Sequence, residues 1–157
     1  MIHKTHVVMH HSATQDSRTL SWQAIRRYHL NKGWRDVGYH LGVELVGDRY
    51  EALLGRALDE KGAHAYQRGM NHKGIGVVLV GNFDITPPTD EMLGFTARHV
   101  AGILRLLTIP VSSVLPHREV AAYKTCPGRL FPWDPFVGLL REHLEEDDPL
   151  RGRVLHA

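Results

Sequence analysis

Ile75-Gly76-Val77-Val78-Leu79-Val80 is the stretch on which the fold turns. It is a near-continuous apolar run, and such a run suits a central strand covered on both faces. A strand of that kind needs neighbours in its sheet, and the chain offers four further candidate stretches. Thr5 to Met9 reads as a short β run in which Val7-Val8-Met9 is apolar, with His10-His11-Ser12-Ala13-Thr14 at its C-terminal edge. Tyr39 to Val46 alternates as a strand, and Val46-Gly47-Asp48-Arg49 is a hairpin turn into Tyr50 to Leu54. Val111 to Leu115 is a further short strand.

The helices come between. Ser21 suits an N-cap, and Trp22 to Leu30 is helical with Trp22, Ile25 and His29 near one stripe, ended by Asn31-Lys32-Gly33. Thr86-Pro87-Pro88-Thr89 is a break. Thr89 then caps a helix without a full capping box, and Asp90 and Glu91 suit its first turn; the pattern runs to Leu107. Pro135 to Leu144 is a last helix. Gly55 to Met70 and Pro116 to Pro132 read as irregular segments. Strands and helices interspersed in this way give an α/β layered architecture.

With 157 residues and no repeat or low-complexity linker, the chain reads as one domain, residues 1–157, with a core of about 5–144 and a charged tail from 145 to 157. A chain of this size buries roughly 70 % of the surface its unfolded form exposes, so it needs no disulfide or structural metal to fold. The net charge of +2 and pI of about 8.8 fall short of the clustered charge of a nucleic-acid binder. No apolar run approaches the ~20 residues of a transmembrane helix, which excludes membrane insertion by a helix. Met1-Ile2-His3-Lys4-Thr5 leads straight into a strand and offers no signal-peptide core. No pair of carboxylates suggests glycosidase chemistry. Histidine is the outlier at twelve residues; His3, His29, His99, His143 and His156 read as surface histidines.

Three residues stand apart from that background. The only cysteine, Cys126, lies in Lys124-Thr125-Cys126-Pro127-Gly128, nine positions after His117, and the first strand ends in His10-His11. A lone thiol cannot make an internal disulfide. Two imidazoles and one thiolate make a three-ligand zinc site with a fourth position for water, the form that does chemistry. The competing reading of Cys126 is a small buried hydrophobe. On a strand His10 and His11 point to opposite faces, so only one of them can be a ligand. His11 is expected to pack or to donate a hydrogen bond, and His40 to be structural.

The ordered motifs His10-His11-Ser12-Ala13-Thr14, Asp36-Val37-Gly38-Tyr39-His40, Gly62-Ala63-His64-Ala65, Asn71-His72-Lys73-Gly74-Ile75-Gly76-Val77 and His117-Arg118-Glu119-Val120 with Lys124-Thr125-Cys126-Pro127-Gly128 resemble those of the type 2 N-acetylmuramoyl-L-alanine amidases. That family includes small phage lysins and animal peptidoglycan recognition proteins. The resemblance covers about Val7 to Pro132, and the Lys-x-Cys-Pro form looks more like the lysins. It implies an α/β single domain with a central, mostly mixed β-sheet flanked by helices. It also implies one zinc ion per chain on His10, His117 and Cys126, and cleavage of the amide between N-acetylmuramic acid and L-alanine in bacterial peptidoglycan. By position the family's active-site tyrosine and lysine become Tyr39 and Lys124, and His64 and Asn71 would line the groove that holds the muramyl peptide. One departure is that the loop from His117 to Cys126 is a residue longer than in many members, through Ala122-Tyr123, which bears on where Lys124 sits.

On the residues alone, Tyr39 also reads as a packed core tyrosine, Lys124 as a solvated loop lysine, and the His64–Asn71 loop as one that satisfies its own backbone. Trp34, Arg56 and Arg68 are candidates for sugar stacking or carboxylate pairing. Three functions follow: a phage endolysin, a bacterial wall-recycling or remodelling amidase, and a non-catalytic peptidoglycan-binding module. The resemblance also admits a polymerase partner, which no sequence feature supports. The endolysin reading expects synthesis in the host cytoplasm without a signal peptide and action on the wall after export or lysis.

Overall fold

The apolar run forms strand β4 (Gly74–Leu79), and every residue of it is buried. In the computed structural model, which describes residues 2–14 and 21–146, it lies at the centre of a five-stranded sheet. β1 (His6–His11) pairs parallel to it on one side and β2 (Leu41–Val46) parallel on the other. β3 (Arg49–Leu54) closes a hairpin antiparallel to β2, and β5 (Val114–Pro116) pairs parallel to β1. The order is β3-β2-β4-β1-β5, a mixed sheet with one antiparallel edge.

The period of two along β1 and β4 separates the two faces. Val7 and Met9, with Ile75, Val77 and Leu79, pack under the helices α3 (Asp90–Leu107) and α5 (Trp133–Glu146), against Leu93, Ala97, Val100, Leu104, Phe136 and Leu140. This is the main core, where each fully buried Leu or Phe stabilises by about 1.5–3 kcal/mol. Val8 and Val78 point the other way. They meet a thinner layer: Val78 touches Trp22 of α1 (Trp22–Asn31) and Val37, and Val8 touches Ala65, Met70 and Val120. Loops make up much of this second layer, and that leaves room for a cleft.

Local signals work as the sequence suggests. The Ser21 hydroxyl accepts from the Ala24 N–H at 3.4 Å, and that of Thr89 accepts from the Met92 N–H at 3.1 Å. Gly33 takes a positive φ of 79° just beyond α1. Several boundaries differ from expectation. Tyr39 and His40 precede β2, although the His40 N–H still donates to Gly76 O and the Gly55 N–H to His40 O. Val111–Ser113 is a 3-10 turn, closed by the Ser113 N–H on Pro110 O, and only Val114–Pro116 is strand. Inside the two expected loops lie single-turn helices, α2 (Met70–Lys73) and α4 (His117–Val120). α5 reaches Glu146, so the first part of the expected tail is helical; the rest of it, from residue 147, lies outside the described residues, as does His156. Among the described residues no helix is long and apolar enough to cross a membrane.

Candidate functional site

Strand register brings the two histidines together. Met9 of β1 stands opposite Pro116 of β5, so the next residues, His10 and His117, leave neighbouring strand positions. Their rings lie 4.4 Å apart between centroids, both buried. His10 shares the face of Val8, towards the thin layer, whereas His11 faces the main core. There it packs as expected, buried with its ring 5.9 Å from that of Phe83, and its Nδ1 accepts from the Phe83 N–H at 3.1 Å.

The third residue arrives on a loop that several contacts hold in place. The Arg118 N–H donates to Cys126 O at 2.8 Å, and the Arg118 guanidinium reaches Gly128 O at 3.1 Å. Asp84 grips the same loop from the turn that follows β4, accepting from the Thr125 hydroxyl at 2.7 Å and the Arg129 N–H at 2.8 Å. Gly128, at φ 117°, lies so close to Phe83 that a Cβ would sit 2.5 Å from its carbonyl carbon. The sulfur of Cys126 then stands 3.6 Å from His10 Nδ1 and accepts the His11 N–H at 3.4 Å.

One ligand atom each from His10, His117 and Cys126 fits within a span of 4.8 Å. A tetrahedral ion with nitrogen and sulfur at ~2.0–2.3 Å separates such ligands by about 3.5 Å, close to the distance between Cys126 and His10. His117 Nε2 is the buried side-chain nitrogen that lacks a hydrogen-bond partner among the described residues. Leaving such a group unpaired costs about 1–3 kcal/mol, a cost that packing gives no reason to carry. The electrostatics agree. Burial pushes the Cys126 thiol up to about 12, so its thiolate needs a compensating cation. Burial holds His10 well below the usual imidazole range, with His64 and His117 adding to the effect, and lowers His117 to about 4. Neutral imidazoles are the form that binds metals. The residues present therefore suit a divalent ion.

These three residues, with Tyr39, His64, Lys124 and Trp34, line a cleft of about 420 Å³. A second lobe of about 500 Å³, lined by Asn71, Tyr66 and Tyr123 among others, shares His64, His117 and Lys124 with it. The Tyr39 ring lies 5.3 Å from that of His10, and burial raises its phenol above the ordinary tyrosine value, so it stays protonated. Lys124 is exposed at the rim, its ammonium 5.2 Å from the Tyr123 ring. The extra loop residue thus leaves Lys124 on the cleft.

His64 and Asn71 sit at the groove with much of their bonding capacity already used. Asn71 Oδ1 accepts the His64 and Ala65 N–H groups at 2.7 and 2.8 Å. His64 Nδ1 lies 3.1 Å from His10 Nε2, and its Nε2 lies 3.4 Å from Gly74 O. His40 is structural: its Nδ1 accepts the Gly76 N–H at 2.9 Å, and its Nε2 meets Glu60 O at 3.1 Å. Of the expected surface histidines, His29 is instead buried, accepting the Gly38 N–H and stacked on Trp34 with centroids 4.5 Å apart at the cleft wall. Its place on the Trp22 stripe was the available signal. Arg56 is committed to Val37 O and Lys61 O. Asp84 carried no sequence signal of its own, because its role depends on distant segments meeting, and Arg118 had only its place in the motif that begins at His117.

Comparison with known proteins places this geometry. A family model described as N-acetylmuramoyl-L-alanine amidase matches residues 3–129. The endolysin of Escherichia phage T7 is 35 % identical over 126 residues, covering 77 % of this chain and 78 % of the relative. The solved structure of the N-acetylmuramoyl-L-alanine amidase LysC from Clostridium intestinale superposes with a TM-score of 0.77 at 24 % identity, covering 89 % of this chain and 87 % of its own, a likeness of fold. The wild-type Drosophila peptidoglycan-recognition protein LB superposes with a TM-score of 0.68 at 30 % identity, over 83 % of this chain and 79 % of its own.

Proposed function

This chain belongs to the N-acetylmuramoyl-L-alanine amidase family, and from that premise we propose that it cleaves the amide between N-acetylmuramic acid and L-alanine in bacterial peptidoglycan as a zinc-dependent endolysin. The observation that carries the reading is the convergence of His10, His117 and Cys126 within 4.8 Å at the floor of a cleft bearing Tyr39 and Lys124. These three side chains would hold one zinc ion. When bound, zinc supplies a water of pKa near ~7 and a Lewis acid for the amide carbonyl.

The remaining work falls to the chain's own groups. Attack on the amide builds negative charge on the carbonyl oxygen, which needs a donor beside it. The Lys124 ammonium at the rim of the cleft is that cation. The Tyr39 phenol, kept protonated by burial, acts as a donor and not as a base: it orients the attacking water or passes a proton towards the leaving amine. The groove beyond His117, walled by Trp34, Tyr66 and Tyr123, would receive the muramyl peptide, with the Asn71 Nδ2 group left for a peptide carbonyl. The Asn71 carbonyl and the His64 ring serve that groove by holding its wall.

The endolysin setting rests on the likeness to the phage relative. Against a purely binding role, Cys126 retains a thiol beside His10, the third ligand that a recognition module does not require. Digestion of purified peptidoglycan is the test. The proposal expects new L-alanine amino termini, no new reducing sugar ends, and loss of activity after chelation that zinc restores. New reducing ends would make the protein a glycosidase, and undiminished activity in chelator would remove the metal.

A further inference from the structure

His64 lies with its ring between two glycines. A Cβ at Gly76 would stand 2.5 Å from His64 Cγ and Cδ2, and one at Gly62 would stand 2.5 Å from His64 Cδ2. Both walls are fixed. Gly76 is in β4 with its N–H held by His40 Nδ1 at 2.9 Å, and the Gly62 N–H donates to Asn71 O at 2.8 Å. The His64 backbone is pinned in turn by Asn71 Oδ1 at 2.7 Å. Only glycine at positions 62 and 76 leaves room for this ring, so the cradle is shaped for it.

The bonds of the cradled ring run in one direction. Gly74 O can only accept, so His64 Nε2, 3.4 Å away, carries the proton. The neutral ring then has a lone pair at Nδ1, facing His10 Nε2 at 3.1 Å. His10 Nε2 must therefore donate, which leaves its Nδ1 as a lone pair. That atom is the one 3.6 Å from Cys126 Sγ. We propose that His64 is a positioning residue: its hydrogen bond fixes His10 in the Nε2–H tautomer and turns Nδ1 towards the metal position. This rests on the ligand set proposed above. A ligating histidine whose other nitrogen is held in this way is both oriented and made a better ligand, and losing the outer partner commonly weakens metal binding 10–100-fold.

Two measurements test it. Nitrogen-15 NMR of the metal-free wild-type protein should find both His10 and His64 protonated on Nε2; a proton on Nδ1 of either ring overturns the proposal, and no variant is needed. Zinc affinity, read by competition with a chelating dye, should then follow the geometry of the replacement. An Asn side chain sets its carbonyl near the position of Nδ1, whereas Gln reaches only towards that of Nε2. His64→Asn should bind zinc nearly as well as wild type, while His64→Gln and His64→Ala should lose about 10–100-fold. Equal affinity in His64→Gln, or a His64→Asn variant as weak as His64→Ala while both unfold at the same temperature, would refute the role. A wild-type protein that binds no zinc would sink the ligand set itself, while the NMR result still reports the direction of the hydrogen bond.

Discussion

Acidifying the metal-free protein should destabilise it through His40 in a way that one substitution can isolate. The ring of His40 is 1 % exposed, and its Nδ1 already accepts the Gly76 N–H at 2.9 Å. A second proton would have to enter at that nitrogen, breaking the bond and placing a cation beside Lys4 and Arg56 in a buried site. Burial is the main cause that lowers this group from 6.5 to about 4; the Glu60 carbonyl bond and the Glu60 carboxylate oppose it in part. Above pH 6.5 the ring is neutral whether folded or unfolded and contributes no slope. As pH falls below 6.5 the unfolded chain takes up the proton and the folded one does not, so stability falls with pH until about 4, where the folded ring also protonates. With those two values the loss is about 0.8 kcal/mol at pH 6 and about 2 kcal/mol at pH 5. Lys4, lowered to about 8 by burial, is charged in both states across this window and adds no slope of its own. The assay is urea unfolding in chelator at pH 7.5, 6 and 5, comparing wild type with His40→Asn. The Asn carbonyl can accept the Gly76 N–H but does not titrate. His6, His10, His11, His29, His64 and His117 are present in both proteins, so the difference between the two pH slopes reports the loss of His40 together with the charge it would place beside His64. At pH 5 the wild-type midpoint should have lost about 1 M more urea than that of the variant. Identical slopes would show that His40 protonates in the fold as easily as outside it, and would refute the argument from burial.

Other perturbations separate the parts of the site. Tyr39→Phe should lower kcat about 100-fold, the scale of a lost oxyanion or proton donor, with zinc affinity unchanged in dye competition. Cys126→Ala should abolish wall lysis and zinc retention while circular dichroism stays that of wild type; lysis at full rate would remove the thiolate from the mechanism. Asp84→Ala frees the Thr125 hydroxyl and the Arg129 N–H, loosening the Cys126 loop, and should weaken zinc binding by about 10-fold without touching a ligand. Unchanged affinity there would mean that Arg118 and Gly128 suffice to place the sulfur.

Much of this was legible because period and capping are local. The run at Ile75 to Val80 declares a strand buried on both faces, the Ser21 and Thr89 caps mark two helix starts, and the ordered His, Tyr and Cys motifs carry the family. What the sequence concealed depends on segments far apart in the chain. His29 reads as a surface residue until Gly38 and Trp34 close over it. Val111, Val114 and Leu115 are apolar enough for a strand, yet the Pro110 carbonyl captures the Ser113 N–H and winds the first three residues into a turn. Asp84 is an ordinary acid in a loop until the residues around Cys126 fold onto it.

The division of the sheet explains why the site is where it is. Along β1, alternation sends Val7, Met9 and His11 to the face covered by α3 and α5, and Val8 and His10 to the face covered by loops. The thick layer supplies most of the buried apolar area, so the thin one can carry buried polar groups and a cleft. That allowance has a cost in buried nitrogen atoms, and glycine sets where it falls. Gly42 makes way for Trp22, and Gly62 and Gly76 make way for His64, all on the loop-covered face. A methyl at Gly76 would therefore do more than overpack a strand at about 1–3 kcal/mol. It would push out the imidazole that faces His10, so Gly76→Ala should lose zinc affinity along with stability. A Gly94→Ala change on α3, where a Cβ meets nothing within 4 Å, should lose neither.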